Sequence, residues 1–259
     1  MKRFFFIIVT SLVLGGMLGM FFYWRGETFD QKETVVPFPQ EMSVIEERVV
    51  ETSTPAQAPV VVEKLPDTVS IAGVPFTVQA PYGEWSNPIF QDACEEASVV
   101  MASAWVNGTK LTQESAKNDI EALAALQKKK FGHSVDTSIQ DTAWLFKEFS
   151  VEGSAVVERK VTIERMKAVL ATSKILIVPT DGRALKNPNF TQPGPPRHML
   201  VVTGYDDTTE EFIVNDPGTR KGEGYRYAQP VLFDAILDYP TGKHADAPST
   251  DKVMIVVGQ

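Results

Sequence analysis

Residues 91–105 read QDACEEASVVMASAW, and the fold can be placed from this stretch outward. Ala93, Ala97, Val100, Met101, Ala104 and Trp105 recur at helical spacing, which predicts a helix buried along one face. Asp92 stands where an N-cap belongs, Glu95 three residues on completes a capping-box pattern, and Gly108 supplies a stop. Cys94 then falls at the second or third helical residue. Free N–H groups and the helix dipole favour a thiolate there. Glu95 and Glu96 oppose one unless both point to solvent. Taken alone, Cys94 is equally well explained as a small buried residue.

Downstream, His198–Tyr205 and Glu211–Asn215 read as two arms of a hairpin around Asp206, Asp207, Thr208 and Thr209. Opposed residues in an antiparallel pair have numbers that add to a constant. For His198 and Asp216 the total is 414, centred on residue 207 inside the turn. Both side chains then share a face, and Asp216 can orient the imidazole. His198 would take the thiol proton, Cys94 would attack a carbonyl carbon, and an acyl-enzyme would follow. The Cys94 N–H is a natural oxyanion donor, and the amide of Gln79 or Gln91 would supply the second. The plainer explanations are a strand histidine and a turn-forming aspartate in Asp216-Pro217-Gly218. A register different by one would put Asn215 in the orienting role.

Around these residues, Ile71–Val78 reads as a strand that Pro75 confines to an edge or an end. Helices fit Thr112–Lys128, Ser138–Phe149 and Ile163–Ala171. Short β-branched runs follow at Ala155–Glu158, Ile175–Val178, Gly224–Tyr227 and Val253–Val257. Helices first and strands later predict an α+β domain, its helical half packed on a largely antiparallel sheet. Trp85, Tyr225 and Tyr227 are candidates to line a peptide groove, and Arg220 to meet a substrate carboxylate. His133 reads as a loop residue and His244 as solvated.

The stretches VPFTVQAP (74–81), ACEEASVVMA (93–102), RHMLVVTGYD (197–206) and FIVNDPGTR (212–220) resemble the C39-like cysteine peptidase family. That family has a papain-like fold, and the resemblance spans most of Val69–Asp238. It implies Cys94 as nucleophile, His198 as base, Asp216 as third member and Gln79, in the VPxxxQ opening, as oxyanion donor. NPNFTQPGP (187–195) and the YRY segment (225–227) resemble bacterial members that stand alone, outside transporters. Two departures stand out. Gln79 and Cys94 are 15 positions apart, a longer gap than in transporter-linked relatives, so Gln91 stays open. Those relatives also carry a glycine where this chain has Glu95. Their leader-processing role, tied to an export channel, is not carried over.

Composition bounds the rest. The 259 residues hold 25 Lys+Arg and 33 Asp+Glu, a net charge of −8. A pI near 5.0 with no basic run argues against nucleic acid. One cysteine excludes a disulfide framework and a multi-thiolate zinc site, and three scattered histidines suggest no metal site or cofactor. Phe4–Tyr23 is 20 residues without a charge, enough at helical rise for a bilayer's hydrocarbon core. Its apolar core is longer than a cleavable signal's, and no A-x-A-like site follows. Lys2 and Arg3 predict a cytoplasmic N-terminus, so residues 1–25 read as an anchor and the remainder as extracytoplasmic. Gly15 and Gly19 form a GxxxG pair, a weak sign of dimerisation that leaves oligomeric state open. Five prolines and an acidic bias make 26–68 a tether, and 69–259 the folded domain.

The leading expectation is therefore a membrane-anchored, extracytoplasmic cysteine peptidase that hydrolyses a peptide or isopeptide bond. A papain-like module that only binds peptides or wall components is the alternative favoured by Glu95 and Glu96 beside the thiol. Acyl transfer to an amine, as in transglutaminases, uses the same triad order.

Overall fold

Period-two alternation in the apolar strands sets the architecture. In the computed structural model, which describes residues 64–242 and 250–259, Ile175, Ile177, Met199, Val201, Val253, Ile255 and Val257 enter one buried cluster. Their neighbours Leu176, Val178, Leu200, Val202, Met254 and Val256 enter a second. A sheet apolar on both faces must be covered on both. The predicted anchor, its glycine pair, the tether as far as residue 63 and His244 lie outside the described residues. No described helix is long and apolar enough to cross a membrane.

The strands are β1 (Thr68–Ser70), β2 (Ser154–Arg159), β3 (Ile175–Thr180), β4 (His198–Asp206), β5 (Glu211–Asn215), β6 (Tyr225–Ala228) and β7 (Val253–Gly258). They pair antiparallel throughout in the order β2-β7-β3-β4-β5-β6, with β1 against β4. The helices are α1 (Pro88–Gln91), α2 (Cys94–Val106), α3 (Gln113–Phe131), α4 (Ile139–Phe149), α5 (Ile163–Leu170) and α6 (Gln229–Ala235). Residues of α2, α3 and α4 fill the first cluster, and those of α5 and α6 the second. The expected α+β arrangement, a cysteine-bearing helix packed on an antiparallel sheet, is the one observed. It has helices on both faces rather than one.

Local chemistry sets most element ends. Thr112, Ser138 and Thr162 each accept a hydrogen bond from the third residue beyond, capping α3, α4 and α5. Gly132, at φ 87°, closes α3 in the left-handed region.

Three sequence expectations are corrected. Asp92 does not cap α2: it is the C-cap of α1, which Asn87 opens, and Ala93 at the N-cap of α2 makes no side-chain bond. Cys94 is consequently the first helical residue. The helix is also buried all round from Cys94 to Trp105, because alanines, serines and valines let neighbours close in on every side. Ile71–Val78 is no strand. Its main chain is held singly instead, by Ile71 N–H to Thr203 O and by Asn215 Nδ2 to the carbonyls of Val74 and Pro75. Asn215 is thereby spent on this segment and does not orient His198.

Candidate active site

Cys94 begins α2, the helix packed against β4. Its sulfur makes two hydrogen bonds. The thiol donates to Glu95 Oε2 at 3.0 Å, and the Met199 N–H on β4 donates to the sulfur. Glu96 acts from further along the turn. Burial pushes the Cys94 thiol well up, and the Glu95 carboxylate, its hydrogen bond and the Glu96 charge push the same way. The Met199 N–H opposes these and loses. The expectation that the helix start favours a thiolate is overturned, because Glu95 and Glu96 are both only 1% exposed rather than turned to solvent. Desolvation raises both carboxyls in turn.

His198 opens β4, and its Nε2 lies 2.8 Å from Asp216 Oδ1, with both side chains buried. The register that brings them together differs from the expected one. Paired numbers add to 416 at Val201–Asn215 and to 417 beyond a bulge between Val202 and Gly204, where 414 was expected. A slip of two keeps the face, so the pair meets diagonally rather than directly across. Asp216 sits just past β5 in a shell of donors. Oδ1 also accepts from Gly218 N at 3.0 Å, and Oδ2 accepts from Tyr227 OH at 2.6 Å and Asn187 Nδ2 at 3.4 Å. Burial alone would raise this carboxyl, but the His198 charge and these hydrogen bonds outweigh it and hold it below the ordinary range. Phe190 packs edge-on against the imidazole, 5.3 Å between centroids.

The groups open onto one cleft of about 820 Å³. Cys94, His198, Gln79, Trp85, Gln91 and Arg220 all line it, so the structure brings these candidates together. Asp216 stands behind His198. Gln79 Nε2 donates at 2.9 Å to each of the Phe90 and Gln91 carbonyls, so both its amide protons are engaged in this state. Gln79 N–H also bonds Pro217 O, which ties the upstream segment to the turn carrying Asp216. Tyr227 is corrected: it is buried behind Asp216 and does not line the groove. Tyr225 packs against it at 4.7 Å. His133 faces Gly242, away from the cleft. Asn187 was not singled out by the sequence reading, although it lies in the quoted NPNF string. Among the described residues no group of three His, Cys, Asp or Glu side chains is set to hold a metal.

The turn behind Asp216 admits no side chain at Gly222. A Cβ there would lie 1.8 Å from Asp216 O, while Gly222 O already accepts the Asp216 N–H at 2.9 Å. Gly222→Ala is expected to cost about 1–3 kcal/mol, the usual penalty for forced overpacking. A thermal melt reads this as a fall of several degrees. An unchanged melt would show that the turn relaxes freely.

The profile of the Peptidase_C39 like family matches residues 71–239, which include every residue of this cleft. The chain belongs to this family of cysteine peptidases. Among solved structures, a C39-like peptidase from Bacillus anthracis is 17% identical, with a TM-score of 0.45 over 74% of this chain and 98% of that one. Xylellain, a cysteine protease from Xylella fastidiosa, is 12% identical, with a TM-score of 0.37 over 75% of this chain and 86% of that one. Likenesses of that depth carry no residue role. No curated protein matches the chain at a significant level.

Proposed function

We propose that this C39-like peptidase hydrolyses a peptide or isopeptide bond through Cys94, His198 and Asp216, on the outer side of a membrane that residues 4–23 enter. The observation that supports the reading best is the buried His198–Asp216 pair at 2.8 Å, whose imidazole lines one cleft together with Cys94. With Nε2 committed to Asp216, His198 has Nδ1 left to take the Cys94 proton. The thiolate attacks the substrate carbonyl, and the imidazolium returns the proton to the leaving amine. Water then releases the acyl group from sulfur, with His198 again as base. The oxyanion sits at the start of α2, where first-turn N–H groups lack intrahelical partners. Gln79 supplies the second donor by exchanging one of its main-chain carbonyls for the oxyanion. Trp85 and Gln91 contact the flanking substrate.

The test is to incubate the full chain in detergent with a diverse peptide mixture in ¹⁸O-water and read products by mass spectrometry. New C-termini carrying ¹⁸O, lost in Cys94→Ala, are expected. Products joined to amines in place of free acids would assign acyl transfer. Peptides bound equally by both proteins and never cleaved would leave a binding module.

A further inference from the structure

The hydrogen bond from the Cys94 thiol to Glu95 has no place in the mechanism above. Its geometry is firm. Glu95 Oε1 accepts from Tyr239 OH at 2.7 Å and from Thr137 N–H at 3.2 Å, so two distant segments fix the carboxylate. Oε2 is left facing the sulfur at 3.0 Å. The side chain is buried at the edge of the cleft. We propose that Glu95 is a positioning residue that keeps the proton on the Cys94 sulfur, so that the resting site holds a neutral thiol turned towards Glu95 and away from His198. This rests on Cys94 being the nucleophile.

The charged and titratable groups around Glu95 act on it in both directions. On its own helix stand Cys94 and Glu96. Burial and the charge of Asp136, from the segment before α4, work against the Glu95 carboxylate, while the hydrogen bonds from Cys94 and Tyr239 favour it. Tyr239 donates to Glu95 and lies 3.4 Å from the His198 carbonyl. Arg197 faces the other side of this group, its guanidinium 5.6 Å from the Tyr239 ring centroid. A carboxylate accepting from a thiol favours the protonated sulfur, and its charge disfavours the thiolate. Glutamine in the same shape would reverse both effects. Its Oε1 keeps the Tyr239 and Thr137 bonds, and an amide N–H, a donor, takes the place of Oε2 against the sulfur.

The chain has one cysteine, so alkylation by iodoacetamide, followed by mass spectrometry, reports on Cys94 alone. In the full chain, Glu95→Gln is expected to lower the midpoint of the rate–pH curve by at least about one unit, a tenfold gain in thiolate at a pH below both midpoints. A more acidic thiol is less nucleophilic, which leaves a net rate gain of roughly threefold. A second measurement needs no variant. The wild-type S–H stretch in the infrared is expected at neutral pH, shifted down by the hydrogen bond. An absent band, an unshifted band, or alkylation unchanged or slowed in Glu95→Gln would each overturn the proposal. Peptide hydrolysis by His198→Ala separates the two readings. If hydrolysis is unchanged while Glu95→Gln speeds alkylation, the triad fails and the Glu95 contact stands. If hydrolysis collapses while Glu95→Gln leaves alkylation unchanged, the triad stands and this inference falls.

Discussion

Replacing His198 with alanine is expected to lower the rate of peptide hydrolysis by about 10⁴-fold or more, the loss when a nucleophile and its base act as one unit. The size follows from the resting state. Burial, Glu95 and Glu96 all hold the proton on Cys94, so little thiolate exists without a base to take that proton. A thiol already ionised at rest would lose far less when its histidine is removed. The variant also leaves Asp216 buried beside a cavity, at about 3–5 kcal/mol for an unmatched buried charge. That cost is within the 5–15 kcal/mol margin of an ordinary domain, so the protein remains folded at 25 °C. Steady-state kinetics should therefore show the loss in kcat, with a lowered but cooperative melt. A decrease below tenfold with the fold intact would remove His198 from the base role.

The elements read correctly from the sequence are those whose signals are local. Thr112, Ser138 and Thr162 announce helix starts because a cap and its N–H lie three residues apart. β4, β5 and β7 stand out as β-branched runs, and Glu211–Asn215 matches to the residue. The misreadings have non-local causes. Ile71–Val78 has strand composition, but Gln79, Asn215 and Thr203 hold its ends and middle individually, leaving no neighbour for a ladder. The hairpin register is displaced at its turn, where Asp206 pairs with Glu211 at a total of 417, and the bulge between Val202 and Gly204 takes back one residue of that slip. Gly204 there lets β1 approach, since a Cβ would lie 2.2 Å from Val69 O.

The cleft divides the same way. Cys94, His198, Gln79, Trp85 and Gln91 were found from residue type and spacing, and they share one cavity. The sequence leaves the burial of Glu95 and Glu96 open, although carboxylates are almost never fully buried without partners. The partners that decide it for Glu95 are 42 and 144 positions away. Asn187 and Tyr227 reach Asp216 across 29 and 11 positions, distances at which spacing carries no information. What a sequence of this kind conceals is the environment of its reactive groups.

That environment makes Asp216→Asn a severe substitution despite its shape. All four contacts to Asp216 come from groups that donate or can donate: His198 Nε2 and Gly218 N on one oxygen, Tyr227 OH and Asn187 Nδ2 on the other. An amide has one acceptor oxygen, so its NH₂ must confront one of these pairs. Facing His198, it would force Nε2 to accept and place the imidazole proton on Nδ1, the atom needed to receive the thiol proton. Facing Tyr227 and Asn187, it would leave an Asn187 N–H buried against another donor. The expected loss in kcat lies between about 10²-fold, typical of an outer orienting partner, and about 10⁴-fold, seen when a triad carboxylate becomes an amide and the wrong tautomer results. Stability carries a separate sign. The folded Asp216 carboxyl is held below its unfolded value, so its stabilisation is fully present above the unfolded pKa of about 3.9 and is lost as pH falls through the folded one. Denaturant titrations should find the wild type more stable than Asp216→Asn at pH 7, with the gap closing below about pH 4. A gap independent of pH would mean that the shell of donors, and not the charge it surrounds, holds this turn together.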